Sequence, residues 1–308
     1  MSQIKTKTLL SGKISGTKRV LITGATGLIG RYAVAQLINA GFDVLAVSRS
    51  GCGASGISLD VHDSDALNVF MRREQPEYLL HLAWNVEPGF YTSTDNLDWV
   101  VSSLNLLKIF TENGGKRAVF AGTCCEYDMS YGFLQEDVTP MKPDSLYGTA
   151  KLSLYQLASS WAAKMNLSFA WGRIFFLYGK NERRERIVPY IIDSLLEGKK
   201  PELKYPFILR DYTYAEDVAR GIAALLMSDF NGAVNISSGQ AVALCDIAKR
   251  AALLMNCPVP EYEEVYDENM PPLVVGDCRR LNHAIGFTPS VSWEEGLSEV
   301  IEERRKRI

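Results

Sequence analysis

"RVLITGATGLIGRYAVAQLINAG", residues 19–41, decides the fold of this chain. Arg19–Thr23 is an apolar, β-branched run of the length of one buried strand. Glycines follow at every third position, Gly24, Gly27 and Gly30. Beyond them Tyr32, Val34, Leu37 and Ile38 fall at helical spacing, and Gly41 ends the pattern. A buried strand that passes through a glycine turn into a helix opens a βαβ unit.

The same alternation continues outward. "FDVLAVSRS" (42–50) reads as a second apolar strand and "GISLDV" (56–61) as a short third. "DSDALNVFMRREQP" (63–76) is an amphipathic helix with an acidic first turn and a terminating proline. "EYLLHLAW" (77–84) is a fourth strand, and a long helix over 96–113 leads to the apolar run Ala118–Val119–Phe120. The strands are continuously apolar rather than alternating, as in a parallel sheet covered on both faces. The expected architecture is α/β: a Rossmann-like doubly wound parallel sheet with a smaller C-terminal α/β part. The rhythm loosens near residue 173. "EDVARGIAALLMS" (216–228) and "GAVNISSG" (232–239) still read as helix and strand, followed by a helix at 243–255, a Pro/acidic stretch at 257–272 and a final amphipathic segment. The expected division is a flexible lead-in over 1–17, a dinucleotide domain over 18–172 to which elements near 210–238 return, and a substrate-binding part over 173–308.

Composition narrows the class. The chain has 308 residues, 47% hydrophobic and 22% charged, with net charge −3, which is ordinary globular composition without a nucleic-acid footprint. No apolar run approaches the roughly 20 residues that span a bilayer. The polar N-terminus carries no secretion signal, so the expected place is the cytoplasm with free thiols. Cys52, Cys124, Cys125, Cys245, Cys257 and Cys278 match no zinc spacing, and His62, His81 and His283 are scattered, so no metal site is expected.

The glycine turn implies chemistry. Glycine allows close approach of a pyrophosphate to the backbone, and the helix behind it directs unpaired N–H groups at that anion. The turn residues Gly24, Thr26, Gly27, Leu28, Ile29 and Gly30 are therefore candidate dinucleotide ligands. The second strand ends Val47–Ser48–Arg49–Ser50, with no carboxylate for a ribose 2′-hydroxyl. Arg49, flanked by Ser48 and Ser50, can instead pair with a 2′-phosphate. NADP(H) is favoured on this ground, with NAD(H) the alternative.

"SLYGTAKLSLYQLASSWA" (145–162) reads as a helix with Tyr147 and Lys151 one turn apart on one face. A free phenol titrates near pH 10, and a neighbouring ammonium favours the phenolate. The expectation is a Tyr147 phenol lowered by Lys151 into the working range of an acid/base, a three-unit shift needing about 4 kcal/mol. Just upstream, "AGTCCEYD" (121–128) ends a strand with Thr123, whose hydroxyl would hold a substrate oxygen beside the phenol.

Gly24-x-x-Gly27-x-x-Gly30, Thr123 and Tyr147-x-x-x-Lys151, in this order, resemble the extended short-chain dehydrogenase/reductase family. More narrowly they resemble its nucleotide-sugar epimerase/dehydratase/reductase branch. "LDV" (59–61), "HLAW" (81–84), "SLNLL" (103–107), "GRIFFLYG" (172–179) and "RDYTYAEDVA" (210–219) resemble further motifs of that branch, so the likeness spans about 18 to 290. It implies adenine contacts at Asp60 and Val61, and cofactor contacts at Leu82, Ala83 and Trp84. It implies Thr123 as the residue orienting the substrate oxygen, Tyr147 as general acid/base, and Lys151 as the ligand of the nicotinamide ribose. It implies Arg210 as a ligand of the substrate pyrophosphate, and a homodimer paired through the helices near 96–113 and 147–165.

Departures from the family pattern point to the reaction. The branch's 4,6-dehydratases carry Asp-Glu after the threonine, and here those positions are Cys124 and Cys125, which removes the proton carriers of water elimination. Relatives resembling GDP-fucose synthase use a cysteine two residues before the tyrosine, where Cys125 precedes Tyr127, but their histidine is replaced here by Arg186. Phe176 stands for the usual Asn, and Trp84 and Trp99 for an Ala and an Asn. Cys124, Cys125, Phe176 and Arg186 are thus candidate substrate contacts. The expected activity is NADPH-dependent reduction of a nucleotide-linked 4-keto-6-deoxy sugar. The alternatives are a nucleotide-sugar epimerase, acting at C4 by transient oxidation or at C3/C5 through Cys125, and a non-catalytic dinucleotide-binding scaffold.

Overall fold

A computed structural model describes residues 17–51, 56–265, 267–268 and 270–307. The lead-in expected at 1–17 (save its last residue) and Cys52 lie outside the described residues.

The first half builds β1 (Arg19–Thr23), α1 (Gly30–Asn39), β2 (Asp43–Ser48), β3 (Ile57–Ser58), α2 (Ser64–Glu74), β4 (Tyr78–His81), α3 (Asp95–Glu112) and β5 (Arg117–Thr123). Then follow β6 (Phe133–Leu134), α4 (Leu146–Met165), β7 (Ser168–Ile174), β8 (Phe176–Tyr178), α5 (Ile187–Leu196), β9 (Leu209–Arg210), β10 (Tyr212–Tyr214), α6 (Ala215–Met227) and β11 (Gly232–Ile236). The chain closes with β12 (Val242–Ala243), α7 (Leu244–Met255), β13 (Leu273–Gly276), α8 (Arg279–His283) and α9 (Trp293–Arg305).

Seven parallel strands form the main sheet in the order β11-β7-β5-β4-β1-β2-β3. From β1 the chain winds outward one way through β2 and β3, then crosses back to β4 and winds the other way. The β1/β4 seam is therefore the topological switch point, where a crevice opens at the strands' carboxyl ends. Apolar strand residues point to both faces, as their sequence requires. Leu21, Leu79, Phe120 and Trp171 pack on the side of α2, α3 and α4, while Val20, Ile22, Leu80 and Ala170 pack on the side of α1 and α6. Helix starts follow local chemistry. The Asp63 carboxylate accepts the Ala66 N–H at 2.9 Å to cap α2, and Ser145 accepts the Gly148 N–H at 3.2 Å to cap α4.

Chain beyond residue 173 serves both parts of the molecule. β7 runs to Ile174 and β11 forms one edge of the main sheet. The remainder makes a two-stranded sheet, β10-β8, and a four-stranded mixed sheet, β12-β9-β13-β6, over a separate core with α5, α7 and α9. No helix among the described residues is long and apolar enough to cross a membrane.

Candidate active site

A cleft of about 850 Å³ lies at the switch point. One wall is the glycine turn. A methyl group on Gly30 would stand 2.1 Å from the Gly24 carbonyl oxygen, and one on Gly24 would stand 2.8 Å from the Ala83 nitrogen. Gly24 also sits at φ +69°, a conformation that side chains disfavour. Thr26, Gly27, Leu28 and Ile29 continue this wall to the start of α1, and Ser48, Arg49 and Ser50 border it at the end of β2. Val61, Leu82, Ala83 and Trp84 line the side toward β4. A methyl at Gly24 or Gly30 would strike the turn's own backbone, so the turn closes tightly and leaves the start of α1 on the cleft lining, an arrangement that fits a dinucleotide. Asp60 is the exception among the expected cofactor contacts. It is absent from the cleft lining, and its carboxylate accepts the His62 N–H at 3.0 Å.

At the cleft floor β5 delivers Thr123, and α4 delivers Tyr147 and Lys151. Thr123 caps a single 3₁₀ turn, Cys124–Glu126, accepting the Cys125 N–H at 3.2 Å and giving its own N–H to Glu126 Oε1 at 2.8 Å. Gly148 lets α4 close on this turn, since a methyl there would stand 2.3 Å from the Cys125 carbonyl oxygen. The Thr123 hydroxyl lies beside the Tyr147 phenol on the cleft floor and favours its ionised form. Lys151 is buried, and its Nζ donates to the Ala121 carbonyl at 2.9 Å.

The electrostatics differ from the expectation. Burial pushes the Tyr147 phenol well above its ordinary value, the Cys125 thiol adds to the rise, and the Thr123 hydroxyl offsets part of it. Burial also pulls Lys151 down to about 7, against the attraction of Glu126. The expected lowering of Tyr147 by Lys151 is thus not what the site displays: burial is the largest cause of the shift, and Lys151 is not among the groups that act on the phenol. The resting phenol is neutral, the state of a proton donor. Cys124 and Cys125 are free, buried thiols. The two thiols shift each other in opposite senses: the neighbouring Cys125 together with burial raises Cys124, and the neighbouring Cys124 lowers Cys125.

The second wall is different in kind. Phe176 and Tyr212 come from the small sheet, and Arg183, Glu185 and Arg186 from the turn before α5. Arg186 reaches across to the Val86 carbonyl at 3.4 Å and lies 5.5 Å from the Phe90 ring. Arg183 pairs with Glu87 from the loop after β4. Arg210 does not line the cleft. β9 turns it inward, where it donates to the Leu209 carbonyl at 2.9 Å and packs on Phe176 with 5.6 Å to the ring centre.

Several further residues shape the site although the sequence did not single them out as candidates, His81 and Arg173 lying within quoted motifs. Glu126 is fully buried; its carboxylate takes the Thr123 N–H, the Trp171 Nε1–H at 2.9 Å and the Arg173 Nε–H at 2.7 Å. Arg173 passes the network to Tyr127 at 3.0 Å, and Tyr127 donates to Asn235 at 2.7 Å. Phe90 meets Tyr147 edge-on at 4.9 Å, and the Tyr91 carbonyl accepts the Tyr147 N–H at 3.1 Å. His81 bridges Thr23 and Ser103 at 2.7 and 2.8 Å, and burial lowers it to about 3, which keeps it neutral. The one legible signal was for Glu126: a Thr three residues before a Glu is a capping pattern.

Comparison with known proteins agrees with this geometry. The profile of the NAD dependent epimerase/dehydratase family matches residues 20–237. A dTDP-6-deoxy-L-talose 4-dehydrogenase (NAD(+)) from Aggregatibacter actinomycetemcomitans is 30% identical over 231 residues, covering 72% of this chain and 84% of that protein. The UDP-glucose 4-epimerase of Thermotoga maritima, solved with UDP-glucose, superposes with a TM-score of 0.82 at 24% identity over 94% of this chain and 99% of its own, a likeness of fold. MoeE5, solved with UDP-glucuronic acid and NAD, superposes with a TM-score of 0.79 at 28% identity over 94% of this chain and all (100%) of its own. A profile match across most of the chain, a glycine cradle at the switch point and a Thr123/Tyr147/Lys151 cluster at its floor lead to one conclusion: the protein belongs to the NAD dependent epimerase/dehydratase family and is an NAD(P)-dependent enzyme.

Proposed function

We propose that the protein is an NADPH-dependent 4-ketoreductase of a nucleotide-diphosphate-linked 4-keto-6-deoxy sugar. The observation that carries this reading is the pairing of a neutral, buried Tyr147 phenol with two thiols, Cys124 and Cys125, where a dehydratase needs carboxylates. The 4-dehydrogenase relative supports the carbon and the redox change, read in reverse; its name gives NAD(+), so NAD(H) is the alternative cofactor and NADP(H) rests on Arg49. The nucleotide sugars bound to solved relatives support the substrate class.

In this mechanism Thr123 and Tyr147 hold the ketone oxygen by two hydroxyl donors. The bound reduced dinucleotide supplies the hydride. Tyr147 gives its proton to the oxygen as negative charge develops there, and the high affinity of the phenol for its proton in the resting site keeps it loaded. Lys151 then stabilises the phenolate from one helical turn away. Arg186, without an ion-pair partner among the described residues, is the cation placed to receive a substrate phosphate. Arg49 would read the 2′-phosphate. It is exposed at the end of β2, and its ordered link to the protein is through its carbonyl, which accepts the Ser58 hydroxyl at 2.8 Å. The homodimer is likewise proposed, pairing α3 and α4, which expose Leu97, Val101 and Leu157.

A second reading, epimerisation at C4 by transient oxidation, draws on the 4-epimerases among the relatives. One assay separates the two. Incubation with a panel of nucleotide 4-keto-6-deoxy sugars should consume NADPH in stoichiometric amount, faster than NADH. Conversion of the sugar without net cofactor consumption would replace the reductase with an epimerase.

A further inference from the structure

Trp84 takes no part in the mechanism above, yet its ring is held from two sides. Its indole N–H donates to Asn96 Oδ1 at 2.9 Å. Asn96 is 2% exposed, and its amide nitrogen donates to the carbonyls of Phe90 and Ser93 at 2.7 and 2.8 Å. Two carbonyl acceptors fix which end of the amide is nitrogen, so Oδ1 must face the indole. Trp99 stacks on Trp84 with ring centres 5.7 Å apart and planes at 28°. The ring is thus set both by the hydrogen-bonded Asn96 amide and by a stacked neighbour. Its π face lies 3.8 Å from Lys151 Nζ, and its ring meets Tyr147 edge-on at 6.3 Å.

An ammonium in this position has lost its water. Lys151 is 3% exposed, and its hydrogen bond is to Ala121. The groups that face it are Glu126 from the 3₁₀ turn, neutral His81 from β4 and Tyr147 on its own helix. Only Glu126 among them attracts a cation at rest, while burial favours the neutral amine. The negative face of an indole attracts a desolvated cation at this range.

We propose that Trp84, clamped by Asn96 and Trp99, is a positioning residue that holds Lys151 as an ammonium beside Tyr147. The role of Lys151 in the reaction rests on the reading above, but the contact itself does not, and it can be tested without substrate or cofactor.

The test is the pH dependence of urea unfolding of the cofactor-free full chain, taken as the difference from the same protein carrying Lys151→Met. A lysine whose folded pKa lies below its unfolded value costs stability in full below the folded pKa. That cost is relieved as pH rises from the folded toward the unfolded value. The wild-type difference should therefore begin to rise near pH 7. Trp84→Met, which fills the space without a π face, should move the onset down by about one pH unit. Trp84→Phe should restore most of it. Should Trp84→Met not fold, global replacement by fluorinated tryptophan leaves the shape intact and weakens the ring face. Lys151 over Trp84 is the cation–tryptophan contact recorded among the described residues, so the onset should again move down, by part of a unit. An onset unmoved by both Trp84→Met and fluorination would overturn the proposal, as would an onset unmoved by fluorination alone if Trp84→Met fails to fold.

Discussion

The two walls of the cleft are made in different ways. The dinucleotide wall is backbone: Gly24 and Gly30 leave no room for a methyl, and the helix behind them presents its N–H groups. The opposite wall is side chains: Phe176, Tyr212, Arg183, Glu185 and Arg186, carried on short strands and a turn. A backbone wall tolerates almost no change and accepts one shape. A side-chain wall can be rewritten residue by residue. Between them lies the floor, with Thr123, Tyr147 and Lys151, braced from below by the buried Glu126 and from the side by Trp84.

The largest effect should follow from breaking the first wall. Gly30→Ala would place its methyl against the Gly24 carbonyl, and dinucleotide binding, read by calorimetry, should fall below detection. Tyr147→Phe should come next, lowering turnover by about 10³-fold while leaving the dissociation constant of NADPH within about threefold. Glu126→Gln should cost roughly 3 kcal/mol or more in urea unfolding, because it leaves the buried Arg173 guanidinium without its counter-charge. A loss under 1 kcal/mol would mean that the floor does not depend on that pair.

Smaller effects belong to the rims. Arg49→Ser should cut the preference for NADPH over NADH by about tenfold, one charge-assisted hydrogen-bond pair on an exposed site. Arg183→Ala should change stability by less than about 1 kcal/mol, since its pair with Glu87 is exposed. The pH dependence has a definite sign. With Tyr147 raised, the phenol stays protonated through neutral and mildly alkaline pH, so the reductive rate should show no alkaline fall from this group below pH ~10. Because Lys151 itself is pulled to about 7, the deciding readout is the phenol: a tyrosinate absorbance band that rises near pH 7 and is absent from Tyr147→Phe would contradict the neutral resting phenol.

The same contrast explains what the sequence discloses. The strand–glycine–helix unit, the parallel character of the sheet and the Tyr147/Lys151 pair are legible because each depends on local periodicity or on residues one turn apart; the seven-stranded order, which includes β7, is not. Cys124 and Cys125 sit where the motif places them, in a turn capped by Thr123. Arg210 illustrates the limit. Its motif was plain, but whether its side chain reaches the cleft depends on how β9 pairs with β12 and β13, far along the chain. The Tyr147 electrostatics were missed for a related reason. The sequence shows the neighbouring lysine but not the depth of burial, and burial decides the sign. Glu126, Arg173 and Asn235 come from three separate segments and meet only in the folded core.

The most direct test of the reductase reading is the fate of a deuteride. The enzyme would be given NADPH carrying deuterium at the transferable position of nicotinamide C4, together with the nucleotide 4-keto-6-deoxy sugar that it consumes. Deuterium at C4 of the product sugar, with one NADP⁺ formed for each sugar, is the predicted result. A converted sugar free of deuterium, with the label still in the reduced cofactor, would contradict it.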